Sequence, residues 1–260
     1  MKEKNAFKIG TFIILPVVVC GLTVPQDSLS IFRQNLVDQR DSTVFINQAS
    51  SVPGQPCPDI LTVIDHEGNV YNTVQIGSQC WTKENMKCTS SPTGKSCIQL
   101  SGNQPSTWAP YYAVPSNSAY GVLYNWHAAV DTNLTTAIDC TFDHTRRGIC
   151  PQGWHVPTDA EWRHLTDFLG GDGVIGGEVK STSSLWDSPN IGATNESGFS
   201  ALPAGAYNNG FNNADSNAYF WSSTQNDNVG VWNRHFSYDY ADCNSNGIKY
   251  FGFSVRCCKD

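Results

Sequence analysis

Regular alternation of strand-forming positions begins just after Cys57. Residues 60–64 place apolar and β-branched side chains at alternate positions, and residues 65–69 are typical of a turn. Strand-like character then resumes over residues 70–76. This pattern predicts a β-hairpin at the start of the folded domain.

A pattern of helical period follows Pro157. Thr158 and Glu161 have the spacing of a capping box, and Gly170 and Gly171 stand where a helix would end. The apolar residues that recur on one face between these signals are Trp162, Leu165, Phe168 and Leu169. The pattern predicts one short amphipathic helix.

The rest of the chain predicts loops and short strands. Residues 89–118 show no sustained period and predict long surface loops, whereas the apolar segment 120–130 is ambiguous between helix and strand. Strands punctuated by glycine are predicted at 198–202, 218–223, 229–236 and 252–257. Together these elements predict an α+β domain with few helices, a short antiparallel sheet and long irregular loops.

Composition and charge narrow the class of protein. The chain has 260 residues, a net charge of −7, a pI of about 5.3 and 12% aromatic residues. The aromatic and aliphatic content is sufficient for a globular core. Nucleic acid is excluded as a partner, because its binders cluster positive charge and this chain has no run of Lys or Arg.

The N-terminus resembles a secretion signal. Three lysines precede an apolar stretch over 11–24, which is shorter than a membrane-spanning helix needs. We therefore expect a signal over 1–21, with either lipidation of Cys20 or ordinary cleavage, and a flexible stem over 22–56. The domain would occupy 57–260 of an exported protein, at the outer membrane and cell surface or released, with membrane contact only through a lipid anchor.

Ten cysteines in an exported chain predict disulfide bonds, although the sequence does not determine their connectivity. Cys88 and Cys97 flank a turn segment and are the predicted local pair. No metal or cofactor site is predicted, because the chain has no CxxC pair and its histidines are scattered. His155 and His164 lie on either side of the capping box and are interpreted as packing or surface residues.

Several separated strings occur in an order that resembles a known family. They are DHEGNVY (65–71), TVQIGSQCW (73–81), KENM (83–86), CPQGWHVPTDAEW (150–162), GFSALPAG (198–205), YFWSST (219–224) and GFSVRC (252–257). This set resembles the Fibrobacter succinogenes major paralogous domain family. The resemblance implies a C-type-lectin-like fold, related to the formylglycine-generating enzyme and stabilised by disulfides. It also implies a disulfide between Cys150 and Cys257.

The segment from Gln225 to Phe251 is a mixture of polar and aromatic residues of the kind found in adaptable binding surfaces. Most of its residues can be reached by randomising the first two bases of an Asn codon, as in genes rewritten by diversity-generating retroelements. We interpret the segment as a binding face for a protein or glycan on another surface. The predicted ligand-binding residues are Trp232, His235, Ser237, Tyr238, Asp239, Tyr240, Asp242, Asn244, Asn246, Tyr250 and Phe251.

Two alternatives remain open at this point. The protein could be an adhesin or a structural component of a surface appendage, without any diversification. Catalysis of the formylglycine-generating type is less favoured. In the enzymes of that resemblance the chemistry needs two cysteines close together near the C-terminal core. Here Cys243 stands alone, and Cys257 with Cys258 lies in the terminal strand, where the resemblance implies a structural disulfide. No catalytic residue is predicted, and the protein is not expected to be an enzyme.

Overall fold

The computed structural model describes the predicted domain in five stretches, which are residues 54–103, 109–132, 146–227, 230–240 and 247–260. The predicted signal over 1–21, its Cys20, and the stem up to residue 53 lie outside the described residues. Three of the predicted binding residues, Asp242, Asn244 and Asn246, also lie outside them.

The described residues form mostly short β-strands with three α-helices. The helices are α1 (Trp126–Ala129), α2 (Asp159–Phe168) and α3 (Ile175–Val179). The strands are β1 (Thr62–Ile64), β2 (Val70–Ile76), β3 (Gln79–Thr82), β4 (Ile98–Leu100), β5 (Tyr111–Ala113), β6 (Leu123–Tyr124), β7 (Trp154–His155), β8 (Ala206–Tyr207), β9 (Phe211–Asn212), β10 (Asn217–Gln225), β11 (Gly230–Ser237), β12 (Gly247–Ile248) and β13 (Cys258–Lys259). Within these stretches, no helix has the length and apolar character needed to cross a membrane.

Two antiparallel sheets organise the domain. The larger has the order β1-β2-β3-β13-β7, so the last strand of the chain lies between β3 and β7. The second has the order β10-β11-β12 and contains the two longest strands. A mixed β4-β5-β6 sheet and the β8-β9 pair complete the architecture. The coarse prediction of few helices with antiparallel sheets is confirmed.

The predicted hairpin is confirmed as β1 and β2, with Ile64 opposite Val70. Its turn is closed by Asp65, whose Oδ1 accepts hydrogen bonds from the backbone N–H groups of Glu67 and Asn69, both at 2.9 Å. The other oxygen, Oδ2, accepts a 2.7 Å bond from the Tyr71 hydroxyl. The first string of the resemblance therefore encodes a self-contained turn in which one carboxylate organises the backbone.

The predicted helix is confirmed as α2. Thr158 Oγ1 accepts from the backbone N–H of Glu161 at 3.2 Å, and Glu161 Oε2 accepts from that of Thr158 at 2.7 Å, which is a complete capping box. Trp162 and Leu165 are fully buried as expected, whereas Phe168 is half exposed. The ambiguous segment 120–130 contains both kinds of structure, since it includes β6 and α1.

Two predicted strands are wrong, and Arg256 explains one of them. Residues 198–202 form no continuous strand, because the carbonyl oxygens of Phe199 and Ser200 accept hydrogen bonds from the buried Arg256 guanidinium, at 2.6 and 2.9 Å. Arg256 also donates to Thr82 O at 3.1 Å and Asn85 Oδ1 at 2.6 Å. Burial lowers the pKa of this guanidinium.

The other wrong strand is 252–257. Its residues pair singly with three different segments, since Gly252 bridges Tyr207, Phe253 bridges Tyr124 and Ser254 bridges Phe220. The paired strand in this region is β13 instead, two residues long. The predicted loops over 89–118 also need correction, because β4 and β5 lie within them as a parallel pair.

Two disulfides connect segments of the described residues. Cys150–Cys257 is the pair that the family resemblance implied, and it closes a sequence separation of 107 residues. Cys57–Cys80 joins the start of the domain to β3 and was not anticipated. The predicted Cys88–Cys97 pair is wrong, because both thiols are free. Cys88 is fully buried with its Sγ 3.8 Å from the Tyr124 hydroxyl, whereas Cys97 is only partly buried beside β4.

Replacement of the buried arginine tests this description. In Arg256→Met the carbonyls of Thr82, Phe199 and Ser200 lose their donor, so the free energy of unfolding should fall by at least about 3 kcal/mol. The control is Arg163→Met, because the Arg163 side chain is 64% exposed. Its free energy of unfolding should change by less than about 1 kcal/mol. Urea unfolding with both disulfides intact measures each value, and equal values would contradict the role given to Arg256.

Candidate functional site

The hairpin of β10 and β11 positions three of the predicted binding residues, Trp232, His235 and Ser237. Tyr219 lies opposite His235, and Phe220 lies opposite Arg234. Because side chains alternate across a strand, His235 and Ser237 point to one side of the sheet, and Trp232 points to the other. The pleat therefore divides a set of residues that the sequence presented as one face.

An extended row of aromatic rings lies on the His235 side. His235 stacks on Tyr219 with ring centroids 4.4 Å apart and an interplanar angle of 7°. Tyr219 stacks in turn on Phe253 at 4.8 Å. Six of the connected rings are called the aromatic row below, and they are Tyr240, His235, Tyr219, Phe253, Phe251 and Tyr250.

The row is buried in the middle and open to solvent at both ends. Phe253 is 3% exposed, whereas Tyr240 and Tyr250 are 37% and 38% exposed. A polar edge accompanies the rings, since His235 Nε2 lies 2.6 Å from Asn217 Oδ1. Burial raises the pKa of the Tyr219 hydroxyl. Such a surface offers flat apolar area beside hydrogen-bonding groups.

Buried side chains hold the ends of the row in place. Lys180 is fully buried, and its Nζ donates to the carbonyl oxygens of Ile191, Ser237 and Tyr240 at 2.7–2.8 Å. At the other end the hydroxyl of Tyr111 donates to the Tyr250 carbonyl oxygen. The positions of the two exposed tyrosines are therefore set by residues outside the 225–251 segment.

The remaining predicted binding residues do not join this row. Ser237 is 4% exposed and donates to Asp239, which is exposed beyond the end of β11. Tyr238 packs against the core beneath α2. The structure thus brings together His235, Tyr240, Tyr250 and Phe251. Trp232 is placed on the opposite side of the sheet by strand alternation, Ser237 is buried, and Tyr238 packs on the core.

Trp232 lines a separate cleft of about 370 Å³ between α2 and β11. The guanidinium of Arg163 lies over its ring at 5.8 Å. Asp159 pairs with Arg163 at 2.7 Å and with the buried Arg234 at 2.9 Å. Arg234 therefore attaches β11 to the first turn of α2.

Sequence reasoning missed Tyr219, Phe253 and Lys180. The two aromatic residues belong to the strings that carry the family resemblance, and the register of β10 with β11 would have placed Tyr219 beside His235. Nothing in the local sequence marks Lys180, because its three acceptors come from two distant segments.

Comparison with known proteins identifies the family only. The family model described as the Fibrobacter succinogenes major domain matches residues 74–259, which include both long strands and all three helices. No curated protein and no solved structure matches the chain.

Lys180 provides a test of how the row is held. In Lys180→Met the carbonyls of Ile191, Ser237 and Tyr240 lose this donor, so the free energy of unfolding should fall by at least about 2 kcal/mol. Amide hydrogen exchange near Tyr240 should also become faster. The control Lys83→Met replaces a partly exposed lysine and should change stability by less than about 0.5 kcal/mol. Unchanged exchange in Lys180→Met would contradict the anchoring role.

Proposed function

The chain belongs to the Fibrobacter succinogenes major domain family, and from that premise we propose that it is an exported ligand-binding protein of the cell surface. Its ligand is a protein or glycan on another surface, and the aromatic row makes the contact. The observation that carries this proposal is the pair of exposed tyrosines, Tyr240 and Tyr250, at the two ends of the aromatic row, which they join by edge-to-face contacts.

The chemistry of the row supports binding rather than packing alone. Aromatic side chains provide large, rigid contact area at low entropic cost when a ligand is bound. Neighbouring Asn217 and the exposed Asp239 supply hydrogen-bonding groups at the edge. A sugar ring or a planar peptide side chain has the matching combination of a flat apolar face and a polar rim.

We further propose that the domain is C-type-lectin-like. Supporting features are the few helices, the antiparallel sheets with long connections, and the disulfide from Cys150, just before β7, to Cys257 beside β13. In such an arrangement the sheets and disulfides stabilise the domain, and the loops are available for recognition.

Sequence diversification of the segment that contains His235 and Tyr240 is part of the proposal. Every residue from Asn233 to Ile248 has a codon that can be reached by changing only the first two bases of an Asn codon. The stretch is bounded by Trp232 and Lys249, which have no such codon. Lys249 is 1% exposed. Its Nζ lies 5.1 Å from the centroid of the Trp126 ring and donates a hydrogen bond to Gln225 Oε1. The C-terminal boundary of the stretch therefore coincides with a buried residue, Lys249.

Binding is tested with an array of immobilised glycans and a displayed random-peptide library. Wild-type protein should bind members of either the glycan array or the peptide library. The variants Tyr240→Ala and Tyr250→Ala should each lose at least about tenfold in affinity, as expected when an aromatic contact to the ligand is removed. Tyr112→Ala is the matched control, because this partly exposed tyrosine on β5 lies outside the row. Equal affinity of all four proteins would contradict the proposal.

Diversification is tested on the gene itself. Sequencing its 3′ end in several isolates should show differences at positions templated by adenine, concentrated in the codons for residues 233–248, next to a reverse transcriptase gene. An invariant segment would overturn diversification and would favour the alternative, a conventional adhesin or appendage component that uses the same row.

A further inference from the structure

A second group of side chains with a common chemistry lies away from the aromatic row. His155, Glu161 and Cys258 each direct one potential metal ligand toward the same point, and these three atoms lie within 4.8 Å of one another. Two of the residues are buried, and Glu161 is partly buried. The group therefore offers one nitrogen, one oxygen and one sulfur atom as potential ligands.

The fold itself brings the three residues together. Cys258 on β13 is the direct cross-strand partner of His155 on β7, so their side chains share one face of the larger sheet. Only three residues separate β7 from the start of α2, and the capping box turns Glu161 back over the strand end. The constellation thus rests on a sheet register and a helix cap.

Hydrogen bonds orient the imidazole for a metal ion. Nδ1 of His155 lies 2.7 Å from Asp260 Oδ1, and Nε2 lies 2.7 Å from Glu161 Oε1. The Asp260 carboxylate can therefore hold the Nδ1–H tautomer, which leaves Nε2 directed toward Glu161 and Cys258. A carboxylate bonded to the far nitrogen is the usual arrangement behind a metal-binding histidine.

Solvent reaches the same point through a cavity of about 270 Å³. Glu161, Cys258 and Asp260 line it, together with Gln79. The Gln79 Oε1 atom is buried and has no hydrogen-bond partner among the described residues, although its Nε2 donates to Glu161 O at 3.0 Å. A water molecule completing a metal's coordination sphere would supply the donor that this oxygen lacks.

We propose that His155 Nε2, Glu161 Oε1 and Cys258 Sγ bind one zinc ion, with water as the fourth ligand. The mixed set of imidazole, carboxylate and thiolate suits zinc, whereas calcium and magnesium take oxygen ligands. As zinc binds, the thiol proton and the proton shared by His155 and Glu161 pass to solvent. The His155–Glu161 separation must open from 2.7 Å to about 3.3 Å for tetrahedral ligands.

Direct metal binding tests the proposal. Tag-free protein with both disulfides intact is stripped with a chelator and titrated with zinc against a chromophoric competitor, and one ion per chain should bind. Cobalt(II) in place of zinc should give the near-ultraviolet absorption of a thiolate-to-cobalt transition. Absence of zinc binding, or a cobalt spectrum without the thiolate band, would overturn the proposal without reliance on any variant.

Variants then assign the ligands. Cys258→Ser should lower zinc affinity by at least about 100-fold, whereas Cys97→Ser, which removes another free thiol, should leave it unchanged. Asp260→Asn should weaken binding by about 10- to 100-fold, as is typical when the residue that orients a ligand is changed. Far-ultraviolet circular dichroism verifies that each variant is folded. Wild-type affinity in folded Cys258→Ser would place the ion elsewhere and refute this site.

Discussion

The buried guanidinium of Arg256 is the interaction on which the arrangement of the domain depends. It joins the segment before β13 to the end of β3 and to the irregular segment at Phe199 through four hydrogen bonds, although none of its partners is a carboxylate. The ring of Phe199 lies 4.6 Å from the cation and covers it on one side. Charge is tolerated here because peptide dipoles and an aromatic face replace the lost hydration.

Lys180 follows the same physical logic at a second place. A fold with short strands and long connections leaves many backbone carbonyls without a partner in a sheet, and each must be satisfied when it is buried. Arg256 and Lys180 satisfy six such carbonyl groups between them. Long cationic side chains thus perform in this domain the task that regular secondary structure performs in others.

Local patterns were sufficient to predict the parts of the fold that depend on near neighbours. The β1–β2 hairpin and α2 form as predicted because Asp65 and the Thr158–Glu161 box act within a few residues. The strands at 198–202 and 252–257 failed because their hydrogen bonds go to distant residues. For the binding face, composition identified His235 and Tyr240, but only the strand register reveals that Trp232 points away from them.

The way in which the aromatic row is held has a consequence for evolution. Tyr240 and Tyr250 are positioned through their backbone carbonyls, by Lys180 and Tyr111, and their rings remain exposed. A carbonyl is present whatever side chain the residue carries, so these positions can accept substitution while their anchors continue to work. The recognition chemistry and the stability of the domain are thereby separated, which gives the surface a high mutational tolerance.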